Sequence, residues 1–296
     1  AAPLGGGAAE QAALAACLAS VARPPLPPPA DTDAATHPLL FMQTEADPAD
    51  IWDATRGATV RLFGVTPAGH SVVVRVLHFR QYLLVPAVVG VEPSALARAL
   101  NTHLQKPSAV TDVTVISGAR SILYYKPVDP ALPFFKVTVG LPKFLREVAS
   151  TLASGTLAVE GVQLPPLQTF EATVDYVLRY MIDAQMVGCQ WVELPAGKYT
   201  LTHRDPPAGA GGAVDAAPGG AAHTQLEAEV RFEDVVVHKP EGRWLLSAPL
   251  RRLSFDIECA GRKGIFPEPD HDPVIQIANY VSLHGAPSAE GGKAGA

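Results

Sequence analysis

Apolar positions along the chain switch between a period of two and a period near four. Thr59–Val65 and Ser71–Leu77 alternate, which puts Val60, Leu62, Val74 and Val76 on the buried side of two predicted strands. Thr66-Pro67-Ala68-Gly69 between them carries proline early and glycine late, as a tight turn does. Phe79–Val85 continues in aromatic and β-branched residues, and strands are predicted at Val110–Ile116, Ser121–Tyr125 and Phe134–Val139. A helix opens at Glu92-Pro93-Ser94, with proline near its first position and Leu96, Leu100 and Leu104 on one face. A second runs from Pro142 to Leu152 with Phe144, Leu145, Val148 and Leu152 inward and Gly155 as its stop.

The later half repeats this texture. Val174, Val177, Leu178, Met181 and Ile182 share one side of a predicted helix. In the block that follows, Val187 and Trp191 are expected in a core, Cys189 as a small buried apolar residue, and Pro195-Ala196-Gly197 as a turn. Gln225–Phe232 alternates, with Leu226, Ala228, Val230 and Phe232 on one side; Val235–His238 is a further strand. Leu253–Cys259 then alternates strictly. Leu253, Phe255, Ile257 and Cys259 point toward a core, and Ser254, Asp256 and Glu258 point away. Val274–Ala278 reads as the returning strand of a hairpin.

Composition adds a large apolar supply and a division of the chain. Of 296 residues, 48% are hydrophobic and 18% charged, enough for a sizeable core in about two domains. The 28 prolines and 25 glycines are clustered. Residues 1–36 read as a disordered, low-complexity leader, with an Ala-rich segment and a polyproline spacer at Pro24–Pro29. Asp205–Ala222 is almost wholly Gly, Ala and Pro and reads as a flexible surface insertion at 205–222. Cys17, Cys189 and Cys259 are too few and too scattered for a disulfide framework or a zinc site. No apolar run is long enough to span a membrane, so no membrane partner is expected. The chain opens on Ala1 without a signal peptide pattern, which suggests a chain incomplete at both ends.

A net charge of −6 argues against a self-sufficient duplex-binding protein, because lysine and arginine supply that affinity. Phe79, Tyr82, Tyr124, Tyr125, Phe134 and Phe135 are the candidates for stacking on bases, yet basic residues do not interleave densely with them, and a place in the core of a sheet is expected. The histidines show no metal-type spacing, and phosphate-loop and nucleophile-elbow patterns are absent from the sequence.

Asp256 and Glu258 are the chemistry-bearing pair. Two residues apart on a strand, their side chains stand roughly 6–7 Å apart on one face. Two negative charges at about 6 Å repel by roughly 3 kcal/mol at an effective dielectric near 20. Either water screens the pair, as on any acidic edge strand, or a divalent cation joins it, as in two-metal phosphodiester hydrolysis. Farther on, Gly261-Arg262-Lys263-Gly264 places two adjacent cations in a loop, to meet a phosphate or simply to be solvated; residue type favours the second.

The run from Leu253 to Asn279, LSFDIECAGRKGIFPEPDHDPVIQIAN, resembles the first exonuclease motif of family B DNA polymerases, and more narrowly their delta type. The block from Phe170 to Tyr199 looks like a second delta-type signature. The resemblance implies an α+β chain with a mixed OB-like N-terminal domain at 37–248 and the first β-hairpin of an RNase H-like 3′–5′ exonuclease domain at 249–296. It implies a replicative DNA-directed DNA polymerase with proofreading, in which Asp256 and Glu258 are catalytic and ligate two Mg²⁺ ions. The family completes that site with carboxylates from later motifs, so the carry-over stops at these two residues and the isolated chain is expected to be inactive. The implied partners are DNA (primer-template and a single-stranded 3′ end), accessory polymerase subunits and the sliding clamp, in the nucleus. An iron–sulfur cluster and zinc are implied only for a C-terminal part. A non-catalytic module that binds single-stranded nucleic acid or docks a subunit is the alternative.

Overall fold

The computed structural model describes residues 22–53, 57–117, 132–204 and 224–284, with scattered positions between 11 and 19. The expected strand Ser121–Tyr125 and the insertion 205–222 lie outside the described residues. The arrangement is mixed α+β. Strands β1 (Leu39–Ala49), β2 (Thr59–Val65) and β3 (Ser71–Leu77) form an antiparallel meander. The turn between β2 and β3 closes through the Gly69 N–H donating to the Thr66 carbonyl at 2.9 Å, with Gly69 at φ +87°. That turn fixes the register, so Val60 faces Val76 and Leu62 faces Val74, and all four are fully buried.

Four more strands widen this sheet: β9 (Trp191–Leu194), β10 (Tyr199–Arg204), β11 (Leu226–Arg231) and β12 (Val236–Val237). The order is β10-β11-β3-β2-β1-β9-β12. β11 lies parallel to β3, seating Leu226, Ala228 and Val230 opposite Val72, Val74 and Val76. These residues join Phe41, Val192, Leu194 and Tyr180 in one core.

A second core lies under a three-stranded sheet of β4 (Tyr82–Pro86), β5 (Val110–Ile116) and β6 (Phe134–Val139), ordered β4-β6-β5. Helices α1 (Pro93–His103) and α2 (Leu145–Ser154) supply Leu96, Leu100, Val148 and Leu152, which pack with Leu83, Val85, Val113 and Val137. Each such aliphatic side chain contributes roughly 1.5–3 kcal/mol by leaving water. Gly155 ends α2 in the left-handed region at φ +69°, and a Cβ there would sit 2.8 Å from the Pro166 ring. Two short strands, β7 (Ala158–Val159) and β8 (Val162–Gln163), follow.

Helix α3 (Tyr176–Asp183) packs into the core of the seven-stranded sheet through Tyr176 and Tyr180. Asp175 caps it by accepting from the Val177 and Leu178 N–H groups. Its buried face differs from the expected one: Tyr176, Arg179 and Tyr180 are buried, while Leu178 is 48% exposed. The cause is tertiary. Tyr176 and Tyr180 pack around Phe79 with Phe232, and Tyr176 donates to the Phe79 carbonyl at 3.1 Å. Arg179 donates to Glu171 and to the Tyr82 hydroxyl.

Two further expectations are corrected. Val187 is 57% exposed and Cys189 is also exposed, because Cys189 takes φ +59° in a turn that hands the core position to Trp191. The leader is ordered against the sheet from residue 22: Leu26 is buried, the Pro24 carbonyl accepts from Gln225 and the Pro25 carbonyl contacts His70. Its carbonyls dock because polyproline backbone leaves them unpaired by its own structure. The expectation for the aromatics holds at three of them: Phe79, Phe134 and Phe135 are buried in the core, which removes them as a stacking platform.

Candidate active site

Asp256 and Glu258 sit on β13 (Leu250–Cys259), which pairs antiparallel with β14 (Val274–His284). The ladder runs unbroken from Leu250↔His284 to Glu258↔Gln276. Period two then decides the faces. One face carries Arg252, Ser254, Asp256 and Glu258, opposite Ser282, Tyr280, Ala278 and Gln276. Both carboxylates are exposed, and Asp256 Oδ1 accepts from the Ile257 N–H at 3.0 Å.

Immediately after Glu258 the register slips, and Cys259 pairs with Val274, leaving Ile275 as the extra residue on β14. Such a bulge adds local twist and redirects the neighbouring side chain. Gln276 and Tyr280 on the acidic face were not singled out from the sequence. Alternation within β14 carries the signal for them, but only the register assigns that face to the carboxylates.

The opposite face departs from expectation. Leu253, Phe255, Ile257 and Ile277 are 59%, 70%, 49% and 59% exposed. A lone two-stranded hairpin has nothing to bury its apolar side against, and no other described element covers this one.

The loop joining the strands is braced from within. Arg262 donates to both oxygens of Asp272 and also to Glu268 at 2.6 Å. Asp272 is buried and further accepts from the Glu268 N–H at 2.8 Å. That backbone bond first, and Arg262 second, hold the Asp272 carboxyl below the usual carboxylate range. Arg262, though exposed, has its donors engaged within the loop, and Lys263 beside it is exposed as well.

Two exposed carboxylates on one face offer the hard oxygen donors that Mg²⁺ takes, and so fit part of its coordination shell. Among the described residues no group of three histidine, cysteine or acidic side chains is placed to hold a metal. No described helix is long and apolar enough to cross a membrane.

Residues 167–291 match the family described as DNA polymerase family B, exonuclease domain. The chain is 38% identical over 285 residues to the DNA polymerase delta catalytic subunit of Bos taurus, covering 88% of this chain and 24% of that protein. It is 35% identical over 294 residues to the same-named protein of Glycine max, covering 93% of this chain and 25% of the relative. Thus it spans about a quarter of the length of the curated relatives it matches. Among solved structures, the family B DNA polymerase from the hyperthermophilic archaeon Pyrobaculum calidifontis superposes with a TM-score of 0.54 at 23% identity, over 84% of this chain and 27% of that one. The chain belongs to DNA polymerase family B, alongside the delta catalytic subunits, and its residues 167–291 are exonuclease-domain sequence.

Proposed function

We propose that the chain is part of a delta-type replicative DNA-directed DNA polymerase with 3′–5′ proofreading. Residues 37–248 are its mixed OB-like N-terminal domain, and 249–296 begin an RNase H-like exonuclease domain. Asp256 and Glu258 would hold two Mg²⁺ ions, which when bound supply an activated water and stabilise the leaving oxygen. The chain's own share is to aim both carboxylates from one strand face and to fix that face with the bulge at Ile275. The observation that supports this reading is the placement of Asp256 and Glu258 side by side on the wet face of β13, inside the matched segment. DNA with a single-stranded 3′ end is the substrate, accessory subunits and a sliding clamp are partners of the whole polymerase, and the nucleus is its place.

Two carboxylates leave most of an octahedral Mg²⁺ shell to water, so the 296-residue chain holds the ions weakly and neither polymerises nor digests DNA. The test is a Mn²⁺ titration followed by nuclear magnetic resonance, alongside a Mg²⁺-dependent digestion of a labelled oligonucleotide. Broadening centred on Asp256 and Glu258 is expected, without digestion. Broadening elsewhere alone overturns the metal assignment. Digestion that Asp256→Ala with Glu258→Ala abolishes overturns the inactivity.

A further inference from the structure

The first residues of β13 border a cavity of about 400 Å³ whose wall includes Arg23, Arg251, Arg252, Thr44 and Ser71. Three arginines around one cavity run against a chain whose net charge is −6. Arg251 builds the wall. Its Nε and Nη2 donate to the Ala22 carbonyl at 3.2 and 2.7 Å, and its Nη1 donates to the Gly69 carbonyl at 3.1 Å. On the other side of Arg23, the Pro24 carbonyl is held by Gln225 at 2.9 Å. Arg23 is thus set at the cavity by anchors on both flanks. The Arg23 and Arg252 side chains are exposed, and neither enters a salt bridge among the described residues.

Arg252 also shares the face of Asp256 and Glu258, because the ladder has no register shift between them. Four residues of strand separate Arg252 from Asp256 by about 13 Å at roughly 3.3 Å each. That is the length of about four stacked nucleotides at 3.4 Å rise. We propose that this arginine-lined cavity seats a backbone phosphate of a single-stranded nucleic acid whose end lies at Asp256 and Glu258. The proposal rests on the exonuclease reading above and assigns Arg23 and Arg252 as the groups that track the strand away from its reacting end. Guanidinium forks suit a phosphate, which accepts two parallel N–H bonds.

Fluorescence anisotropy of a labelled oligothymidylate with the 296-residue chain, in EDTA and across a salt series, tests it. Arg23→Ala with Arg252→Ala is expected to weaken binding and to lower the slope of log K against log salt by about 1.4, at roughly 0.7 per phosphate contact. Arg23→Lys with Arg252→Lys keeps the slope. Both side chains are exposed, and an unchanged circular dichroism spectrum confirms that the variants fold. An unchanged slope in the alanine pair overturns the proposal, as does a polyglutamate peptide that displaces the oligonucleotide with equal affinity. The anisotropy series contains no metal, and the Mn²⁺ titration contains no oligonucleotide. A failed carboxylate site therefore shows in the Mn²⁺ titration alone, and a failed phosphate seat in the salt slope alone.

Discussion

Arg262 grips Asp272 with two donors, Nε at 3.2 Å and Nη2 at 3.1 Å, across the loop that joins the strands of the acidic hairpin. The same carboxylate holds the Glu268 amide at 2.8 Å, so one buried acid ties both sides of the loop. Its carboxyl is held below the usual range, first by that amide and then by Arg262. The order it lends is complete above the ordinary carboxylate range and is lost as pH falls through the lowered value. Hydrogen exchange at the Glu268 amide reads this directly. Protection is expected at neutral pH, is lost in strong acid, and is absent at every pH in Asp272→Ala, which removes the acceptor. A protected Glu268 amide in that variant would rule the brace out.

Glu171 and Arg179 form a buried pair, each side chain under 5% exposed. Glu171 takes φ +62°, an uncommon backbone conformation for a side chain of its size, which brings its carboxylate to α3. Removing the acid leaves the buried guanidinium with Asp183 at 3.5 Å and the Tyr82 hydroxyl at 3.0 Å as its remaining partners among the described residues, so Glu171→Ala should cost about 3 kcal/mol, the low end for a broken buried pair. Replacing both partners with apolar residues should recover much of that loss. Denaturant unfolding of Glu171→Leu, Arg179→Met and the double variant forms the cycle. Strictly additive losses would show that the pair is not coupled.

Tyr82, Tyr176 and Tyr180 resist ionisation. Burial, and then the Asp183 charge, push Tyr82 up to about 12. Burial raises Tyr176 and Tyr180 as well. A raised pKa in the folded state means that the stability these groups contribute is whole below pH 10 and is lost as pH rises through the native values. Ultraviolet difference titration should show these three of the seven tyrosines ionising only with alkaline unfolding. Reversible ionisation of all described tyrosines near pH 10 in the folded protein would contradict it.

Much of the fold was legible because its signals are local. Alternation gave Thr59–Val65 and Ser71–Leu77, aromatic and β-branched runs gave Val110–Ile116 and Phe134–Val139, all with their observed bounds, and Pro93 and Gly155 punctuated α1 and α2. What escaped depends on distant partners. The Arg179 face of α3 answers to Tyr82, 97 residues earlier, and β11 pairs with β3 across 154 residues at Gln225 and Ser71. Periodicity is blind to such distances. The site divides in the same way. Alternation was enough to put Asp256 and Glu258 on one face, whereas Gln276, Tyr280 and the bulge at Ile275 follow from strand register, which is not local.

The apolar side of the acidic hairpin has its own consequence. Leu253, Phe255, Ile257, Ile277 and Val281 form one contiguous exposed face. A surface of this kind binds hydrophobic dyes and promotes association. Phe255 is 70% exposed and opposite Asn279, so Phe255→Ser removes the largest ring without opening a cavity. Stability should change by no more than about 0.5 kcal/mol, as for other surface positions. Dye fluorescence and the sedimentation coefficient at high concentration should both fall. Asp256→Ser on the opposite face is the control, because it alters charge without touching the apolar side, and it should leave dye binding unchanged. If Phe255→Ser destabilises the chain by several kcal/mol instead, that side of the hairpin is buried in solution and another part of the protein covers it.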